Sequence, residues 1–250
     1  MPDTLCAVIR TVVLAAMLGH IGLTQGAEVK VFTSRAIATV LEKNGREFER
    51  SSGHTLNVVT GFSPEFAKRI AAGEPFDIVV APPSTLDALT KDGHIAVDSR
   101  TNLVRSGFGI AVRAGAPKPD LGSVDALKRA LSNARSIGYI RTAGVPQLIE
   151  KLGMKKALEE KTTVPAGDTV AEMVAKGDLE LGIIVITQIV TTPGVELAGP
   201  LPPEIQYHIT FGAGIGARSK APEAARALID FLNGPATAAA LEAQGLERAR

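Results

Sequence analysis

Residues 58–81 read VVTGFSPEFAKRIAAGEPFDIVVA, and the fold prediction starts from this stretch. An apolar run ends at Gly61, a helix opens at Ser63-Pro64, and a second apolar run occupies residues 76–81. Proline in the first helical turn is typical of a helix start. The order strand, turn, helix, strand places a serine hydroxyl and unpaired backbone N–H groups above a strand end. Such a helix start favours a bound anion.

The same alternation continues along the chain from residue 28. We predict strands at 29–33, 56–60, 78–81, 107–112, 136–140, 181–186 and 209–215. We predict helices at 36–51, from Ser63, from a cap at Ser84, from a cap at Ser123 to 131, at 146–152, from 168 or 169 to 175, at 222–232 and around Leu241. Short apolar strands separated by helices indicate an α/β protein with mainly parallel sheets that helices cover on both faces.

Two lobes are expected from two such α/β units. The strands at 107–112 and 209–215 are the candidates for the crossings between the lobes. We therefore expect one lobe from residues 28–106 and 212–250 and the other from residues 107–211, with a ligand crevice outside the carboxyl ends of the strands. The proline-rich patch at 199–203 is interpreted as a turn.

The first 27 residues have the pattern of a cleaved secretory signal peptide, although a buried N-terminal helix is the alternative. The single cysteine, Cys6, lies inside this segment, so the mature chain would have neither a disulfide nor a thiolate metal site. We therefore expect a soluble protein exported to the periplasm. A net charge of +1 and an aromatic content of 4% without tryptophan argue against a nucleic-acid partner.

Signals for cofactors and catalysis are weak. The histidines show no metal-ligand spacing, and the glycines at 212–216 do not have the spacing of a dinucleotide fingerprint. No G-x-S-x-G nucleophile elbow is present, and no carboxylate pair stands in an apolar setting. The sequence therefore predicts neither a metal nor a cofactor, and binding is favoured over catalysis.

Four strand-to-helix turns carry the candidate ligand residues, at 33–36, 61–64, 141–145 and 166–169. Arg35 and Arg141 could each grip a carboxylate through two parallel hydrogen bonds, or could be solvated surface residues. Ser63, Asp168 and Thr169 could instead simply cap their own helices. Tyr139 and Gln188 have core or surface roles as alternatives. The candidate ligand residues are Ser34, Arg35, Ala36, Ser63, Tyr139, Arg141, Thr142, Ala143, Gly144, Asp168, Thr169 and Gln188.

Five blocks of sequence resemble one family. They are VFTSRAIATVL at 31–41, REFERSSGHTLNVV at 46–59, SPEFAKRIAAGEPFDIVVAP at 63–82, VAKGDLELGIIVITQ at 174–188 and ARALIDFLNGP at 225–235. In order and spacing they resemble the periplasmic solute-binding proteins of ABC transporters, in the two-lobed type II group that includes the molybdate-binding proteins. The resemblance covers nearly all of the mature chain.

This resemblance implies a monomer that captures a small ligand between lobes that close by a hinge, and then delivers it to a membrane permease. In the molybdate binders, serines of the first two turns, backbone N–H groups of the second lobe and a tyrosine near the return strand hold the oxyanion. Ser63 matches the second serine. Ala36 stands at the first serine position, with Ser34 close by, and Val185 stands at the tyrosine position.

These departures lead to a hypothesis about the ligand. A tetrahedral dianion in a dry site needs donors on all sides, because unpaired oxygens are costly. Arg35 and Arg141 suit a planar carboxylate better, so we expect a small organic anion such as a di- or tricarboxylate, with a molybdate-type oxyanion as the alternative. A ligand-sensing receptor and an exported enzyme on the same fold are the other function classes.

Replacing Arg35 by alanine is expected to weaken binding of the anionic ligand by at least about 1.5 kcal/mol, the size of one charged hydrogen bond. Isothermal titration calorimetry on the purified mature protein measures this change. Arg46→Ala, further along the same predicted helix, is the matched control. Unchanged affinity in Arg35→Ala would make Arg35 a surface residue.

Overall fold

The computed structural model describes residues 26–140, 144–165 and 170–249. Its strands, in chain order, are β1 Glu28–Thr33, β2 Thr55–Thr60, β3 Ile78–Ala81, β4 Thr101–Arg113, β5 Ile137–Tyr139, β6 Thr162–Thr163, β7 Leu181–Val185, β8 Val195–Pro200, β9 His208–Ile215 and β10 Glu247–Arg248. The pairing order is β2-β1-β3-β9-β4-β7-β5-β6, with β8 and β10 also paired to β4.

The helices lie between these strands. They are α1 Arg35–Ser52, α2 Ser63–Ala71, α3 Pro83–Lys91, α4 Val124–Asn133, α5 Val145–Lys151, α6 Lys155–Leu158, α7 Val170–Lys176, α8 Ile186–Thr191, α9 Pro222–Asn233 and α10 Ala238–Ala243. Within the described ranges, no helix has the length and hydropathy that a membrane span would need. Most of the predicted signal peptide, residues 1–25, lies outside the described residues.

Local chemistry explains several helix ends. Gly53 ends α1 with φ of 74°, and its N–H donates to the carbonyl of Glu49. Glycine adopts this left-handed conformation without steric cost. Ser123 caps α4 as predicted, because its hydroxyl accepts a hydrogen bond from the N–H of Ala126 at 3.1 Å. The predicted cap at Ser84 is wrong, since α3 begins one residue earlier, at Pro83, and Pro82 is its N-cap.

Three predicted elements have different bounds. The crossing strand predicted at 107–112 begins at Thr101, and the strand predicted at 181–186 ends at Val185, where α8 begins. Residues 195–200, part of which was interpreted as a turn, form β8 along β4. Pairing with β4 overrides the turn preference of Gly199-Pro200, because a strand edge satisfies backbone groups that a turn would leave to water.

The strand directions turn the carboxyl ends of the two halves of the sheet toward each other. β1, β2 and β3 are mutually parallel, and β9 lies antiparallel to both β3 and β4. β4 therefore runs in the same direction as β1–β3. β5, β6 and β7 are parallel to one another and antiparallel to β4. The carboxyl ends of the two parallel groups consequently point toward each other.

Both halves are covered on both faces. Val31 and Ile78 face α1 and α9 on one side of the first half, whereas Phe32 and Val79 face Phe66 of α2 on the other. The second half has its own pair of clusters, one on each face. Two separate double-sided cores are what two α/β lobes require. The exact lobe boundaries, 28–106 with 212–250 and 107–211, stay a prediction.

Gln206 joins the two crossing segments. Its Oε1 accepts from the N–H of Phe108 at 2.9 Å and from the N–H of Tyr207 at 3.0 Å, while its Nε2 donates to the carbonyl of Phe108 at 2.9 Å. The side-chain amide thus pairs with β4 much as a neighbouring strand would. A Cβ on Gly107 would lie 3.2 Å from the amide carbon of Gln206, so glycine provides the room for this close approach.

Replacing Gln206 by alanine is expected to lower the free energy of unfolding by about 1–3 kcal/mol, because the N–H of Phe108 loses its partner in a buried setting. Urea denaturation followed by circular dichroism measures the change. Gln147→Ala, on an exposed position of α5, is the matched control. Equal stability of the two variants would contradict a clamping role for Gln206.

Candidate functional site

The first two predicted turns lie side by side at one sheet edge. Thr33 pairs in register with Thr60, and the N–H of Gly61 donates to the carbonyl of Thr33 at 3.2 Å. A Cβ on Gly61 would lie 3.0 Å from the ring of Phe66, which explains why glycine stands there. The starts of α1 and α2, with Ser34 and Ser63, therefore open from adjacent parallel strands.

The hydroxyls of Ser34 and Ser63 do not cap helices. Ser34 is the N-cap of α1 but makes no side-chain cap hydrogen bond. Ser63 is the first residue of α2, and the N-cap is Phe62, so the alternative that Ser63 merely caps its helix is wrong. Both serines are half-buried. Their hydroxyls are thus available to a ligand beside the positive end of a helix.

Thr33 adds a third hydroxyl to this edge. It ends β1, its side chain is fully buried, and its Oγ1 has no hydrogen-bond partner among the described residues. A buried hydroxyl without a partner costs about 1–3 kcal/mol. Buried polar groups without a partner are uncommon and call for a functional or structural reason.

The second group of strands brings three more predicted residues to its own carboxyl edge. Tyr139 ends β5, pairs with Ile183 and packs half-buried against the core. Gly144 precedes α5 with φ of 78°, and Gln188 lies half-buried in α8. α8 also contacts α1, so the two edges meet on that side. Arg141, Thr142, Ala143, Asp168 and Thr169 lie outside the described residues, as does the side chain of Arg35, the first residue of α1.

The two halves of the site are separated by a distance suited to a cleft. Ala81, at the end of β3, pairs with Gly212, which pairs with Asn102 of β4. Val185, at the end of β7, pairs with Phe108, six residues further along β4. At about 3.3 Å per residue, the facing strand ends are about 20 Å apart along β4. Turns and side chains from both edges can span this gap around a small molecule.

Ala36, in the first turn of α1, and Val185, at the end of β7, are each 5% exposed and carry no polar side-chain atom. They therefore contribute shape rather than side-chain hydrogen bonds. Their match to the hydroxyl positions of the molybdate binders stays a prediction.

Some charged groups of the first half are already paired. Glu74 accepts from Arg69 and from Lys30, with N–O distances of 2.6 and 2.9 Å, and the guanidinium of Arg69 holds the pKa of this carboxyl down at about 2. The same guanidinium lies 4.8 Å from the ring centroid of Phe32. These cations stabilise the first half of the sheet instead of serving a ligand. In the described ranges, no group of three or more His, Cys, Asp or Glu residues could hold a metal ion.

A cavity of about 530 Å³ lies at the crossing, between Gly107, Ile186, Leu201 and Gly245. None of the predicted ligand residues lines it. The cavity is therefore not assigned to the ligand.

Thr33 and Tyr207 were not among the predicted site residues. Thr33 belongs to the first predicted turn, but its burial follows from the register of β1 and β2. Tyr207 lies just before β9, and its hydroxyl is the second buried side-chain oxygen without a partner among the described residues. For Tyr207, the sequence offered one signal, which was its position next to a predicted crossing strand.

Comparison with known proteins identifies the family. Residues 29–247 match the family of bacterial extracellular solute-binding proteins, and the chain belongs to this family. It is 31% identical to an aconitate isomerase from a Pseudomonas species, over 87% of this chain and 86% of that protein. It is 29% identical to the molybdate-binding protein ModA of Azotobacter vinelandii, over 88% and 90% of the two chains.

The fold agrees with that family. The solved structure of an Azotobacter vinelandii periplasmic molybdate-binding protein superposes with a TM-score of 0.69 at 20% identity, over 89% of this chain and all of that chain. The predicted two-lobed type II periplasmic-binding-protein fold is thereby confirmed.

Ser34→Ala and Ser63→Ala are each expected to weaken binding of the anionic ligand about tenfold to a hundredfold, the range of one hydrogen bond to a charged group. Their thermal stability should change little, since neither hydroxyl caps a helix. Calorimetric titration and thermal unfolding measure the two effects.

Ser123→Ala is the matched control, because Ser123 does cap its helix. It should lose about 1 kcal/mol of stability while keeping full affinity. If Ser34→Ala or Ser63→Ala behaved like Ser123→Ala, that serine would be structural.

Proposed function

We propose that this family member binds a small organic polycarboxylate between its two lobes and delivers it to an ABC permease. The observation that carries the proposal is the pair of half-buried serines, Ser34 and Ser63, at adjacent helix starts with hydroxyls that cap nothing. Two hydroxyls beside two helix starts favour an anion. Arg35, which begins α1, supplies the countercharge.

A carboxylate is favoured over molybdate by the chemistry of the cleft. A tetrahedral oxyanion relies on many neutral donors, and Ala36 and Val185 offer none from their side chains. Arginine binds a planar carboxylate through two parallel hydrogen bonds. Similarity to a protein named aconitate isomerase supports a tricarboxylate in particular, because aconitate carries three carboxyl groups.

Family membership and the sequence together support export and delivery. We infer that residues 1–27 are a cleaved signal peptide, that the mature chain is a periplasmic monomer, and that ligand-driven closure presents a surface to the permease. A ligand-sensing receptor would use the same closure on a different membrane partner. A permease or a sensor kinase encoded beside the gene distinguishes the two.

Isomerisation of aconitate is the second candidate function, favoured by the same similarity. This reaction removes a proton from the methylene carbon, shifts the double bond by one position, and returns a proton to the former alkene carbon. It needs no co-reactant, but it does need a group that accepts and returns the proton. Incubation of cis-aconitate with the protein in D₂O tests it, since turnover would give trans-aconitate carrying deuterium by NMR.

A thermal-shift series followed by calorimetry tests the binding proposal. Citrate, cis-aconitate, trans-aconitate, tricarballylate, malonate, molybdate, tungstate and sulfate are compared at equal concentration. A tricarboxylate present at a hundred times its dissociation constant is expected to stabilise the native state by about 2.7 kcal/mol. Tight binding of molybdate or tungstate, with no heat from any carboxylate, would overturn the proposal.

A further inference from the structure

Tyr207 is held rigidly at the crossing between the two lobes. Its ring stacks on that of Phe108, with centroids 4.1 Å apart and the planes inclined by 20°. Its N–H donates to Gln206, whose amide is itself paired with Phe108. Stacking and backbone pairing together leave the phenol ring little freedom to move. The position of its hydroxyl is therefore determined by β4.

Tyr207 lies beside a predicted ligand residue. A Cβ on Gly144 would lie 3.4 Å from the ring atom Cε2 of Tyr207 and 3.9 Å from its hydroxyl oxygen. Gly144 and Tyr207 also line a cavity of about 270 Å³, together with Lys151 and Glu204. Glycine at position 144 thus leaves room beside the edge of the phenol ring, and one cation and one carboxylate line the same cavity.

This hydroxyl has nothing to bond to in the described part of the chain. Its oxygen is shielded from solvent and lacks a hydrogen-bond partner there. Burial raises the pKa of Tyr207 well above its usual value, so the phenol keeps its proton at physiological pH. A neutral O–H group is a donor that an anion can accept without a change in protonation.

We propose that the hydroxyl of Tyr207 donates a hydrogen bond to a carboxylate of the bound ligand. The proposal rests on the proposed function. Tyr207 stands in the crossing segment before β9 and stacks on Phe108, which pairs with Val185 at the end of β7. The donor therefore lies at the carboxyl edge of the second group of strands, where Tyr139 and Gly144 also lie.

Tyr207→Phe tests the proposal, because it removes the oxygen and keeps the stacked ring. With cis-aconitate and tricarballylate as calorimetric probes, affinity is expected to fall at least tenfold, equivalent to about 1.4 kcal/mol. The ligand-free variant should be as stable as the wild type or more stable, because an unpaired buried hydroxyl has been removed. Unchanged affinity, or a clear loss of ligand-free stability, would overturn the assignment.

Absorption spectroscopy gives an independent readout. The chain has two tyrosines and no tryptophan, so Tyr207 is the only tyrosine left in Tyr139→Phe. Adding tricarballylate to that variant, at a concentration that calorimetry shows to be saturating, should shift the phenol absorption to longer wavelength as the hydroxyl donates to a carboxylate. An unshifted spectrum at saturation would contradict the contact.

Failure of the proposed function would give a different pattern of binding results from failure of the Tyr207 assignment alone. If the wild type binds molybdate and no carboxylate, the polycarboxylate proposal fails, and with it the hydrogen bond from Tyr207 to a carboxylate. Undiminished molybdate affinity in Tyr207→Phe would then remove its role as a donor as well. If the wild type binds tricarboxylates and Tyr207→Phe binds them equally well, only the assignment of Tyr207 is wrong.

Discussion

The direction of β4 is the constraint on which the site depends. β4 runs in the same sense as β1–β3 and against β5–β7, so two sets of parallel strands end toward a common gap. In the first half, α1 and α2 begin just after β1 and β2, so the N–H groups of their first turns lie at that edge of the gap. The crossing is closely packed, because Gly107 leaves room for the side-chain amide of Gln206. That amide forms hydrogen bonds with the backbone of Phe108 as a neighbouring strand would. A rigid crossing aligns the two edges.

Unsatisfied hydroxyls distinguish the cleft from the rest of the protein. Ser123 uses its hydroxyl as a helix cap, and Ser99 donates to a backbone carbonyl as well as accepting from the N–H of Ile215. At the cleft, Ser34 and Ser63 cap nothing, and Thr33 is buried without a partner in the described part of the chain. The buried hydroxyl of Thr33 lowers stability before the ligand arrives. Binding sites commonly accept this cost, because the same groups then bind the ligand without first breaking internal hydrogen bonds.

Fold and ligand are separable in this family. The molybdate-binding and aconitate-isomerising relatives share most of their length with this chain. A shared two-lobed frame therefore does not determine what the cleft holds. In this chain Ala36 and Val185 bring no polar side-chain atom to the strand ends. Our proposal of a carboxylate ligand depends on this absence and on Arg35.

The sequence alone determined the alternation of strands and helices, the two-lobed class and the turns that carry Ser34 and Ser63. Those features depend on local apolar periodicity, on glycine and proline at helix ends, and on blocks whose order matches one family. It did not reveal β8, because Gly199-Pro200 favours a turn until β4 provides a partner. Nor could it reveal that Ser63 leaves its helix uncapped, or that Thr33 and Tyr207 are buried without partners among the described residues. Only the tertiary structure decided these points, because strand register and the packing of Phe108 against Tyr207 join residues far apart in the chain.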